Sequence, residues 1–192
     1  MKMRLAAICV GVLSAMQLSA APVTYNLDPS HTYPNFSADH MGGLSVWRGK
    51  FRKSSGKVVL DREAKTGSVS ITIDAASIDF GFDKMDEHAR SADMFDVEKF
   101  PTATYEGALG GFKDGSPTEV QGNLTLHGVT KPVKLVIRSF LCKLNPMSKK
   151  EVCGADAAAT FSRADFGISY GQAYGFNQTV TLDIQVEGVR AD

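Results

Sequence analysis

Along most of this chain hydrophobic and polar residues alternate with a period of two, the pattern of strands with one buried face. Val23, Tyr25 and Leu27 alternate with Thr24 and Asn26 until Asp28-Pro29 ends the run. Residues 33–41 set Phe36, Ala38 and His40 on one face and Ser37 and Asp39 on the other. Gly42-Gly43 turns the chain, and residues 44–51 bring Trp47, Gly49 and Phe51 into phase. Residues 57–61 and 67–74 read as a hairpin, with Val69, Ile71 and Ile73 facing one way. Further strands are expected over residues 102–107 (Ala103, Tyr105), 119–127 (Leu124, Leu126) and 132–143 (Val133, Leu135, Ile137). Two more close the chain, 157–161 and 178–187, the second carrying Val180, Leu182, Ile184 and Val186.

One stretch breaks the period. Residues 77–107 read SIDFGFDKMDEHARSADMFDVEKFPTATYEG. Asp83 suits a helix N-cap, with Asp86 and Glu87 in the first turn, where carboxylates meet unpaired N–H groups. Ser91 is placed to cap a second short turn over residues 92–97, and Pro101 forbids further helix. The chain is therefore expected to be all-β, with one short helical excursion near residues 83–97. Antiparallel strands in such number close into a barrel or split into a sandwich to lose their edges. Several runs approach ten residues, or roughly 30 Å at ~3.3 Å per residue, which favours a single antiparallel barrel of about eight strands. Periodicity leaves open whether its interior is filled or hollow.

Composition narrows the setting. Residues 1–20 carry Lys2 and Arg4, an apolar run to about Leu18, and small residues Ser19, Ala20 and Ala21. This is the pattern of a secretory signal peptide, too short for a membrane span. Cys9 lies inside the apolar run, away from the cleavage point, so a lipoprotein is not expected. Residues 21–192 then form one domain, with no linker and no repeat. Without Lys2 and Arg4, 19 basic residues face 21 acidic ones, a net charge of −2 with no basic block. Nucleic acid is therefore not an expected partner. The two cysteines left in the exported chain, Cys142 and Cys153, flank the polar segment KLNPMSKKEV and are expected to form a structural disulfide across a hairpin.

Candidate chemistry is sparse. Residues 167–171, GISYG, match the GxSxG pattern, but no histidine follows His127, and the nucleophile elbow needs a strand-to-helix turn and a downstream histidine. Asp83, Asp86, His88, Asp93 and Asp96 lack a metal-ligand spacing and read as caps and a solvated helix face, so no metal is expected. His40 shares a face with Phe36 and Ala38. It reads either as a core histidine bonded to backbone or as a polar anchor for a ligand head group in an apolar pocket. Arg48 is out of phase with Trp47, which suits the barrel exterior; an anionic head group is the other reading. No nucleophile stands with a base, so the chain is expected not to be an enzyme.

Four ordered blocks carry a resemblance over almost the whole exported chain: LDPSHTYPNFSADHMGGLSVWRGKF, the helical stretch quoted above, GNLTLHGVTKPVKLVI, and FSRADFGISYG with VTLDIQVEG. On these the chain resembles the YceI-like family of exported lipocalin-like barrels. It departs from the family pattern at Phe80, where a small polar residue is usual, and in MDEHARS, where an Arg-Asp-His-Leu-like run is common. The resemblance implies a periplasmic carrier with an apolar tunnel holding a long-chain amphiphile, such as a polyisoprenoid or isoprenoid quinone. It implies no cofactor, a lipophilic small-molecule partner, transient membrane contact, and a monomer or homodimer. Phe36, His40, Trp47 and Phe51 are then the candidate ligand contacts, with Ile71, Ile73, Leu124, Leu126, Phe161, Leu182 and Ile184 lining the tunnel if their face is inward. A stress-protective or drug-sequestering protein without a dedicated lipid is the alternative. The RADFG run at residues 163–167 matches a family motif but reads as structure.

Overall fold

The computed structural model describes residues 21–192, so the expected leader with Cys9 lies outside the described residues. Eleven strand segments are present: β1 (Val23–Leu27), β2 (Tyr33–His40), β3 (Ser45–Phe51), β4 (Ser54–Asp61), β5 (Thr66–Asp74), β6 (Ile78–Asp79), β7 (Thr102–Gly110), β8 (Glu119–Leu126), β9 (Val129–Leu144), β10 (Glu151–Ser162) and β11 (Thr179–Arg190). They make eight staves of one closed antiparallel barrel. β1 and β2 both pair with β11, and β4 and β3 pair with β1 and β2 in turn, so each couple is one long strand broken in the middle. β5 and β6 form a third broken stave, because β5 pairs with β4 and β6 with β3. β7 to β10 complete the ring back to β11. Closure pairs the staves on both sides except at the two-residue β6, which bonds to β3 alone, and so removes the long edges that a sheet of this size would otherwise expose.

The alternation read in the sequence decides which side chains fill the barrel. Leu124, Leu126, Val133, Leu135 and Ala103 are buried in one core cluster that spans the interior. Tyr105 is buried with them and donates its hydroxyl to Val133 O at 2.7 Å. Burial pushes the pKa of that hydroxyl up to about 12 and also raises that of Tyr25. An unfolded chain ionises tyrosine near pH 10. Tyr105 therefore contributes stability that is complete below pH 10 and is lost as the pH climbs to about 12. Urea midpoints should show a decline of about 3 kcal/mol over that window, and Tyr105→Phe should remove most of the decline.

Cys142 and Cys153 face each other on β9 and β10 and are joined by a disulfide. Asn145 organises the turn between them, its side chain accepting from Met147 N at 2.9 Å and Ser148 N at 3.1 Å. Replacing both cysteines by serine should cost roughly 2–3 kcal/mol in urea denaturation, from the entropy of the closed loop. An unchanged midpoint would remove the staple from the account.

The helical excursion is shorter than the sequence predicts. α1 spans Asp83–Arg90 and the chain from 91 to 100 runs through turns. Ser91 opens a turn rather than a second helix: its hydroxyl donates to His88 O at 2.7 Å and accepts from Asp93 N at 3.4 Å, and Asp96 adopts a positive φ. Asp83 is the first helical residue rather than the cap. Phe82 holds the N-cap position without a side-chain bond, and the working carboxylate is Asp86, which accepts from Phe80 N at 2.7 Å. Ala89 packs fully buried against Phe51 and Ile78, fixing α1 beside one end of the barrel.

Candidate ligand-binding cavity

The barrel is hollow. A cavity of about 450 Å³ opens at the end that carries α1 and the loop after β10, and runs down the barrel axis. Small residues on one stave make the space. β10 presents Ala155 and Ala157 inward, where neighbouring staves present Ile137, Phe140, Leu182 and Ile184. The strand ADAAAT in the sequence is the signal for this void, since alanine leaves unfilled the volume that a leucine or phenylalanine would take.

All the tunnel residues expected from phase do face the cavity: Ile71, Ile73, Leu124, Leu126, Phe161, Leu182 and Ile184 line its walls. Phe36, His40, Trp47 and Phe51 line its upper part. Phe36 packs on Phe51 with centroids 5.6 Å apart and edge-on to Phe80 at 5.3 Å, and Trp47 meets Phe80 at 5.8 Å. Phe80, the departure from the family pattern, is thus the centre of an aromatic cluster at the mouth. Sequence reasoning missed it, as it missed Met85, Met94, Phe95 and Phe176, which also line the cavity. These residues lie outside regular strands, where a period of two says nothing.

His40 is not a core histidine bonded to backbone. It lies half-buried at the end of β2, its Nδ1 3.4 Å from Ser45 Oγ and its ring between Trp47 (5.6 Å) and Phe176 (5.5 Å). Two further polar groups reach the same end. His88 and Met85 share the inner face of α1 at a helical spacing, and His88 stacks edge-on to Tyr170 at 4.6 Å. Its Nε2 is buried and has no hydrogen-bond partner. Arg163, only 8% exposed, donates to Ile168 O at 3.1 Å and Tyr170 O at 2.6 Å, while lining the cavity. Burial pulls its pKa below the ordinary arginine value, and the field of Asp39 works against that shift. Asp39 is itself held below the usual carboxylate range by N–H donors from Asn177, Gly43 and Gly42. Deeper in the barrel the polar lining groups Thr32 and Tyr105 are bonded to Glu187 O and Val133 O, so walls of hydrocarbon with His40, His88 and Arg163 at the mouth suit an amphiphile rather than a polar solute.

Other sequence candidates fall elsewhere. Arg48 is exposed on the outer face, its Nη1 3.4 Å from Val46 O. Residues 167–171 follow a short 3-10 turn (Arg163–Phe166) as an irregular loop, not a strand-to-helix elbow. Among the described residues, the one three-residue group with metal-ligand proximity is Cys142, Glu151 and Cys153, and its two sulfurs are bonded to each other. Asp165 of the RADFG run is exposed, and Arg163 spends its hydrogen bonds on carbonyls.

A closed eight-stave barrel around an apolar cavity is a form suited to holding a small lipophilic ligand. The family model for the YceI-like domain matches residues 25–188, and the chain belongs to that family. A UPF0312 protein of Enterobacter sp. (strain 638) is 35% identical over 195 residues, covering 99% of this chain and 98% of the relative. One from Azotobacter vinelandii is 35% identical over 196 residues, covering 99% of both. Among solved structures, BcnA of Burkholderia cenocepacia superposes with a TM-score of 0.66 at 22% identity, over 84% of this chain and 98% of that one. A polyisoprenoid binding domain from Saccharophagus degradans, implicated in plant cell wall breakdown, gives 0.60 at 17% identity, over 87% and 98%. At these identities the two structures establish the shared fold.

Proposed function

We propose that this protein is a periplasmic carrier that holds a long-chain amphiphile, a polyisoprenoid or isoprenoid quinone, in its barrel. The observation that carries this reading is the cavity itself: about 450 Å³ of largely apolar space, with His40, His88 and Arg163 at its mouth. Each CH₂ buried there contributes about 0.8 kcal/mol, so a long chain binds tightly with few polar contacts. The tail lies against Ile71, Leu124, Phe161 and Leu182, and the head group stays at the mouth near His40, His88 and Arg163. The orphaned Nε2 of His88 supports a polar head there, because a buried polar atom without a partner is costly until something bonds it. A cavity of this size weighs against a filled barrel acting only through its surface. The polyisoprenoid-binding neighbour lends the cargo class. Residues 1–20 are read as a cleaved leader and 21–192 as the carrier domain; the disulfide suits an oxidising compartment.

Native mass spectrometry of protein purified from its own periplasm without detergent tests each part. The expected spectrum is a mature chain lacking about twenty residues, with one stoichiometric lipid adduct that solvent extraction identifies. A mass that stays bare after incubation with quinones, prenyl phosphates and fatty-acid amides would overturn the carrier reading. A drug adduct without any lipid would favour the sequestering alternative.

A further inference from the structure

The cavity ends at one level on five neighbouring staves. Its lining includes Leu27 on β1, Val58 on β4, Phe140 on β9, Ala155 on β10 and Val186 on β11. The next inward position on each strand is Tyr25, Leu60, Cys142, Cys153 and Gly188, and none of these lines the cavity. Tyr25 is 3% exposed and Leu60 2%, so they lie beneath the space as a solid layer rather than on the outside.

Tyr25 is the centre of that layer, and the barrel is shaped to hold it. Gly188 on the adjacent β11 leaves room for its side chain: a Cβ there would come within 3.1 Å of Tyr25 Cβ. The ring passes that stave to reach β10, where its hydroxyl donates to Glu151 Oε2 at 2.9 Å. From the other side, Arg62 follows β4 and returns to the same carboxylate, Nη2 to Oε1 at 2.9 Å, with Nη2 also 3.5 Å from Cys153 Sγ. Arg190 at the end of β11 adds its charge to Glu151 at 3.8 Å. An aromatic floor is thus tied to a polar latch that closes the barrel below it.

We infer that Tyr25, in one packed cluster with Leu60 and the Cys142–Cys153 bridge, is the floor that sets the length of chain this protein accepts. The inference rests on the carrier reading above, since a floor selects only if a chain descends to it. Each CH₂ that fits above Tyr25 tightens binding by about fourfold, and carbons beyond the floor's depth must stay outside and add nothing. Affinity should therefore rise along a homologous series and level off at a fixed length.

The test uses the full mature protein and a series of all-trans prenyl alcohols from geraniol upward, each titrated by displacement of a fluorescent probe. Wild type should show a plateau in affinity. Tyr25→Ala should move the plateau to a longer alcohol, by about one isoprene unit, as the space under Leu27 and Val58 becomes available. Leu60→Ala gives the same reading should Tyr25→Ala fail to fold. Val58→Phe, which adds bulk above the floor, should move the plateau the other way. Tyr25→Phe keeps the ring and loses only the bond to Glu151, so its plateau should stay with wild type. Folded alanine variants with an unmoved plateau would overturn the inference, as would a Tyr25→Phe plateau shifted as far as that of Tyr25→Ala. If wild type binds no member of the series, the carrier reading fails instead.

Discussion

Replacing Ala157 with phenylalanine is expected to weaken cargo binding roughly a hundredfold while the barrel stays folded. Ala157 is 5% exposed and points into the cavity, paired with Ile137 on β9 and Ile184 on β11. A phenyl ring there occupies the middle of the space that the alanines of β10 leave. Overpacking a filled core costs about 1–3 kcal/mol, but here the ring enters a void, so stability should hold or rise. The cargo pays instead. Displacing three or four buried CH₂ groups removes about 3 kcal/mol, roughly a hundredfold in affinity. Native mass spectrometry should find the variant bare at protein and lipid concentrations that saturate wild type. Undiminished occupancy in a folded variant would place the cargo somewhere other than this cavity.

Arg163→Leu should have the largest effect on stability, near 3 kcal/mol. The guanidinium joins two points of one loop, Ile168 O and Tyr170 O, and both carbonyls lose their donor when it goes. Each orphaned acceptor costs on the order of 1–3 kcal/mol, partly offset because a buried cation is removed with it. The loop is otherwise anchored by Phe166 and Ile168, both almost fully buried, and by Arg163 N donating to Gln178 O at 2.9 Å. Urea denaturation measures the loss, and hydrogen exchange should show amides of residues 163–178 opening before the strands do. A loss under about 1 kcal/mol would show that packing alone carries this loop. Since the loop brings Tyr170 and Phe176 to the mouth, the variant should also release cargo faster than wild type.

Much of the architecture was legible in the amino-acid order because a strand's side-chain period is fixed by backbone geometry. Alternation placed Ile71, Leu124, Leu182 and Ile184 on one face, and in this barrel that face turns inward to the cavity. The leader pattern of residues 1–20 and an even cysteine count after it likewise argued for the bond between Cys142 and Cys153. The same logic left Arg48, out of phase with Trp47, either on the exterior or at a head group, and the structure exposes it on the outer face. Local chemistry was less decisive. Asp83 has the right side chain for a cap, yet Asp86 makes the bond to Phe80 N, because the approach of β6 to the helix decides which carboxylate is in reach.

The sequence by itself determined most of the strands and which residues share a face, and it pointed to the sulfur pair, since each follows from periodicity or from residue type within a short span. Only the tertiary structure decided that the barrel is hollow. A void is the difference between the volume enclosed by eight staves and the volume of all the side chains that enter it, and no local pattern contains that sum. It also decided which irregular segments meet at the mouth. His40, His88, Arg163 and Phe176 are far apart in the chain and on unrelated elements. Their convergence depends on how the ring of strands closes, as does the reach of Tyr25 from the first strand past the last to Glu151.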